Sequence, residues 1–170
     1  MREALTVPFA TAAVVLCIAG LAKLRSPASA VRVLVVIGLP ARAGVVRALA
    51  VGEIIVGAAC LLHPAALTAG AMACLYATFC AVSFVLVRQG SSCGCFGAET
   101  SASLLQSALS ASLASLALIA AVVPPHGVGW LLTRPPAFLA VIVFGLAGSA
   151  YATVLAYTEL PRAWGAWSAR

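Results

Sequence analysis

The chain has no aspartate and no asparagine, so two of the residues that most often cap helices and turn loops are missing. Charge is scarce too. Only 8% of the 170 residues are charged, where soluble globular proteins carry about 25%. With 64% hydrophobic residues, a water-soluble fold is excluded, because a core of this size could not bury them all. A mean hydropathy of +1.13 makes lipid the expected solvent. Histidine is limited to His63 and His126, and both are expected at the membrane face opposite the polar loop that carries Cys93 and Cys95, so a closed four-ligand zinc site there is not expected. No basic stretch is laced with aromatics. The net charge of +6 sits singly or in pairs at the ends of apolar runs, which excludes nucleic acid as a partner and points to loops at anionic headgroups.

What the chain does have is long apolar runs. Five reach the roughly 20 residues that a helix needs to cross a bilayer: Thr6 to Leu24, Val45 to Leu62, Ala65 to Val87, Ala102 to Val123 and Pro136 to Tyr157. Proline closes several of them at Pro64, Pro124-Pro125 and Pro161, since it lacks the N–H donor and clashes with the preceding turn. The first run starts like a signal peptide, but Lys23 and Arg25 follow it instead of a small-residue cleavage site, so it reads as an uncleaved helix. The stretch from Ser26 to Gly44 is apolar for only about thirteen residues and contains Arg32. It reads as an interfacial helix, with Arg32 and Arg42 reaching the headgroups. The expected fold is therefore all-α: one domain over residues 1–170, an integral membrane bundle of four to five transmembrane helices plus a short interfacial helix. Small-residue faces at Ala48 and Gly52, at Ala66 and Gly70, and at Gly145, Ser149 and Thr153 are candidates for close helix packing, as is the stripe Ser103, Ser107 and Ser110.

One carboxylate stands inside a span. Glu53 lies about 10 Å along the second run, where a charge costs about 2.5–3.5 kcal/mol on insertion scales. It is expected to face the bundle interior. If residues 26–44 do not cross, Lys23 lies at the same membrane face and can pair with it. That pair reads either as a structural lock or as a group for proton handling or quinone contact; a solvated Glu53 in a cavity is the third reading.

Six cysteines divide in two. Cys17, Cys60, Cys74 and Cys80 lie within helices, where a free thiol is commonly a small hydrophobe. Cys80 shares a face with Tyr76 and Ser83 and is the candidate resolving thiol. Cys93 and Cys95 stand instead in the polar stretch "SSCGCFGAET", with Gly94 between them and Phe96 and Gly97 following. Gly94 supplies the freedom that a short disulfide ring needs. Such a ring is tight, and strained disulfides are the more oxidising, exchangeable kind. Arg88 and the start of the following helix favour the thiolate. A Cys-x-Cys pair also suits a soft metal such as Cu(I), so copper handling stands as an alternative, and no metal ligand is assigned.

The string "CGCFG", Cys93 to Gly97, after a third membrane helix resembles the methylamine utilisation protein MauE family, within the broader DoxX-like group of small membrane proteins. "AGLAKL", Ala19 to Leu24, is similar to that family's ending of helix one, and "GEIIVG", Gly52 to Gly57, to its Glu-bearing second helix. The resemblance implies a multi-pass protein of the inner (plasma) membrane that helps make or transfer disulfides, as in maturation of methylamine dehydrogenase. It implies Cys93 and Cys95 as the exchanging pair, with Glu53, Lys23, Gly94, Phe96 and Gly97 in support. The expected partners are the lipid bilayer and a thioredoxin-like protein or secreted, disulfide-containing client; a membrane quinone is the one candidate cofactor. The non-enzymatic alternative is an assembly subunit whose loop only docks a partner. "SASLLQSALSAS", Ser101 to Ser112, lacks the Trp and Arg-Asn pair frequent in the family, which favours general thiol chemistry over a methylamine-specific role. Charge and resemblance disagree on the side. The basic residues place the Cys loop in the cytoplasm, whereas disulfide formation belongs outside it.

Overall fold

The computed structural model describes residues 2–40, 42–90, 92–93, 100–101 and 103–159, with 92–93 and 100–101 described by their backbone. The elements run α1 (Arg2–Arg25), α2 (Pro27–Val36), α3 (Ala43–Leu62), α4 (Ala66–Arg88), β1 (Ser92–Cys93), β2 (Thr100–Ser101), α5 (Leu104–Val122), α6 (Val128–Leu132) and α7 (Pro136–Thr158). Five helices, α1, α3, α4, α5 and α7, are long and apolar enough to cross a membrane. Their limits lie within a few residues of the apolar runs, α1 extending further towards the N-terminus. The chain is a multi-pass membrane protein. With Asp and Asn missing, hydroxyl residues cap α4 and α5. Thr68 Oγ1 accepts the Ala65 N–H at 3.0 Å. Ser103 and Gln106 form a reciprocal box at the start of α5, with bonds of 3.4 and 3.2 Å.

The short helix α2 does not cross. Ten residues at 1.5 Å each span about 15 Å, half the hydrocarbon thickness. It opens on Pro27 and ends before Gly38, whose φ of +75° turns the chain back. The decisive observation is the pairing of its neighbours. Gly57 meets Ala13 and Cys17, Gly20 meets Ala50, and Lys23 meets Glu53, so α1 and α3 run antiparallel. The start of α3 therefore lies at the membrane face where α1 ends. Arg32 and Arg42 are exposed on that face.

The close helix approaches fall at glycines other than those expected. A Cβ on Gly20 would stand 2.7 Å from the Ala50 carbonyl oxygen, and one on Gly57 2.8 Å from that of Ala13. A Cβ on Gly52, Gly70 or Gly145 would meet nothing within 4 Å. The Ala48–Gly52 and Ala66–Gly70 pairs are thus not packing seams, because α3 turns its Gly57–Ala50 stripe towards α1. Ser149 does pack, sharing a 2.8 Å hydrogen bond with Thr11 of α1. The serine stripe of α5 faces inward, with Ser107 and Ser110 buried.

The core lies where α1, α3, α4 and α5 meet, around Phe9, Leu16, Met72, Tyr76 and Ala117. Tyr76 donates to the Ala12 carbonyl at 2.6 Å, satisfying its hydroxyl in an apolar interior. Helix α3 packs mainly on α1 and helix α4 mainly on α5. Between α3 and α4 an open groove is lined by Ala48, Leu49, Gly52 and Val56 on one side and Ala71, Cys74, Leu75 and Thr78 on the other, and α2 lies beside its Leu49–Thr78 end.

Candidate functional site

At the loop end of the bundle Lys23 closes α1 and faces Glu53 of α3. The ammonium donates to both carboxylate oxygens, at 2.8 and 2.7 Å. The residues are 4% and 0% exposed, so the pair is desolvated on all sides. Taking two ions out of water is costly, and the cost is offset only by close geometry of this kind. The ammonium also lies 4.5 Å from the ring centroid of Phe79 on α4, a cation–π contact that joins a third helix to the pair. Phe79 in turn meets Tyr76 edge-on, with centroids 5.9 Å apart.

Beside this pair is a cavity of about 170 Å³. Its walls are apolar: Ala30, Val33 and Leu34 from α2, Val46 and Leu49 from α3, Leu75 and Phe79 from α4. Lys23 is the single charged residue of the lining. The strand β1, which carries Cys93, packs against α2 and α4, two of the elements that wall this cavity. Cys93 is paired antiparallel with Thr100, and Ser92 with Ser101, so the chain is tied together on either side of residues 94–99.

A second polar group lies at the same end, on α5 and α7. Gln106 Nε2 donates to the Tyr157 carbonyl at 2.9 Å, and Ser110 and Tyr157 share a hydroxyl–hydroxyl bond of 2.9 Å. Ser107 Oγ is buried with no hydrogen-bond partner among the described residues. At the opposite end, Arg134 reaches Glu3 at 3.3 Å and stacks over Trp130, which stacks on His126. This arrangement suits a membrane–water interface.

The structure brings Lys23 and Glu53 together as the sequence suggested. It places Cys93 by its backbone in β1, while Cys95, Gly94, Phe96 and Gly97 lie outside the described residues. Cys80 is a half-buried free thiol on α4; Cys17, Cys60 and Cys74 are also free. The Cys60 thiol donates to the Thr68 carbonyl at 3.3 Å, which fits a packing role. Among the described residues, no three His, Cys or Glu side chains gather as a metal site. Sequence reasoning missed Phe79, the cavity and the Gln106–Tyr157 contact. Phe79 could have been found from the Tyr76, Phe79, Cys80, Ser83 stripe, whose spacing follows one helix face.

Residues 1–124 match the family model described as Methylamine utilisation protein MauE. The match ends just after α5, before α6 and α7. No curated protein and no solved structure matches the chain.

Proposed function

The chain belongs to the methylamine utilisation protein MauE family, and on that premise we propose that it is a membrane thiol–disulfide redox protein exchanging electrons through Cys93 and Cys95. A thiolate of the loop attacks a disulfide of a thioredoxin-like protein or secreted client, or a partner thiolate attacks the loop's own bridge. Either way the exchange passes through a mixed disulfide. The observation that carries this reading is the placement of Cys93. It stands on a strand tied by pairing to β2 and packed on α2 and α4, at the end of the bundle that holds the Lys23–Glu53 pair. The four helical thiols sit among apolar helices, so the loop cysteines are the pair chemically suited to meet a partner outside the lipid.

The test is the redox state of the loop in intact membranes, trapped with acid and read by a mass-shifting maleimide. A Cys93–Cys95 bridge that opens with mild dithiothreitol is the expected result. Two thiols that stay free under oxidising conditions overturn the reading. Replacing both cysteines with Ser separates exchange from docking, because an assembly subunit that only docks its partner keeps its effect in that variant.

A further inference from the structure

We propose that the apolar trough between α3 and α4, continued beneath α2, binds one acyl chain of an anionic phospholipid whose headgroup is held by Arg42 and Arg88. Three observations lead there. First, the trough is continuous from the lipid to the membrane surface. The groove between α3 and α4 shares Leu49, Leu75 and Thr78 with the cavity under α2. That cavity shares Ile37 and Val82 with an open groove between the ends of α2 and α4, which Gly38, Val85 and Gln89 also line. No helix fills the trough, because α3 is engaged mainly with α1 and α4 with α5. A Cβ on Gly52 or on Gly38 would meet nothing within 4 Å.

Second, length and chemistry fit a hydrocarbon chain. From Val45 to Val56 the trough follows α3 for eleven residues, about 16 Å. That is the depth of one leaflet, half of a hydrocarbon core about 30 Å thick. The walls offer a ligand almost no polar group. The Lys23 ammonium is engaged by Glu53 and the Phe79 ring. Thr78 Oγ1 donates to the Cys74 carbonyl at 2.8 Å. A chain without hydrogen-bonding atoms loses nothing there, whereas a ring carrying carbonyls or hydroxyls would be desolvated without a partner. Third, the surface end is basic. Arg42 stands between Leu39 and Val45, both in the cavity wall. Arg88 adjoins Gln89, and its guanidinium lies over the exposed Phe84 ring. Both arginines are exposed. The one acidic residue of α2, α3 and α4 is Glu53, whose charge Lys23 balances. A headgroup of net negative charge complements this rim, while a zwitterionic one brings its own cation to it. The lipid's second chain stays in the surrounding bilayer. Lipid binding here is independent of thiol exchange at the loop.

The experiment uses the full chain in phosphatidylcholine nanodiscs carrying a small fraction of phosphatidylglycerol with a diazirine on one acyl chain. A parallel sample carries phosphatidylcholine with the same tail. Photolysis of the phosphatidylglycerol probe should label residues 45–56 or 71–82 about tenfold more than the phosphatidylcholine probe does, the preference that two arginines near the headgroups support. Arg42→Gln with Arg88→Gln should bring the two probes level and leave labelling by phosphatidylcholine as it was. Gly52→Leu, which puts a side chain into the open space of the trough, should remove most of the phosphatidylglycerol labelling with unchanged helical content. Equal labelling by the two probes in the natural chain overturns the proposal and leaves ordinary bilayer chains in the trough. Labelling of the exposed face of α7 to the same extent overturns it as well, since no site is then marked. A preference that survives the arginine substitutions overturns the placing of the headgroup. Trough labelling that disappears as crosslinked dimers form makes a second copy the occupant, and overturns the lipid.

Discussion

A single buried ion pair decides much at the scale of the residue. Lys23 and Glu53 each need the other, since either ion alone in this interior has lost its hydration with nothing in exchange. Lys23→Met and Glu53→Leu should each destabilise the bundle by about 3–5 kcal/mol, read as a lowered melting temperature in detergent. The double variant should recover most of that loss, because two apolar side chains replace two ions. A double variant as unstable as either single one would show that the cost lies in packing. Tyr76→Phe is a milder case. It removes one donor to the Ala12 carbonyl and should cost about 0.5–1.5 kcal/mol by the same measurement.

Among the elements, the α1–α3 seam is the most constrained. Gly20 and Gly57 leave room only for hydrogen, with backbone oxygens below 3 Å from any added Cβ. Gly20→Ala should therefore cost about 1–3 kcal/mol as the helices are forced apart, whereas Gly52→Ala should stay within about 0.5 kcal/mol. Equal losses at both positions would contradict the seam. This is also where the sequence was least legible. Small-xxx-small spacing marks every face on which helices could meet, and the chain has several such faces. Which one is used depends on α3 packing mainly on α1 and α4 mainly on α5, a property of the whole bundle that no local pattern carries. The spans themselves were legible to within a few residues, because length and hydropathy act locally. The contact of Lys23 with Glu53 was legible because a charge in lipid has few alternatives to a partner.

For the whole molecule the question is which ends share a membrane face, and it turns on α2. The antiparallel α1–α3 seam puts the N-terminal end of α1, the α3–α4 turn and α6 at one face, and α2 and the β1–β2 pair at the other. On the loop face stand Lys23, Arg25, Arg32, Arg42, Arg47 and Arg88, and on the far face Arg2 and Arg134. That asymmetry favours a cytoplasmic loop, whereas building disulfides for secreted clients needs the reverse. The relative arrangement is independent of that conflict. A cysteine placed by Ala4→Cys in a chain lacking the loop cysteines, and Cys93 in the natural chain, should react with a membrane-impermeant maleimide from opposite sides of the membrane. Labelling from the same side would mean that α2 crosses, which its length of about 15 Å does not permit. With the arrangement established, and on the proposed thiol-exchange reading, the side from which Cys93 reacts selects the partner. From outside, it is a secreted client that receives a disulfide. From inside, that reading selects a cytoplasmic thioredoxin-like protein.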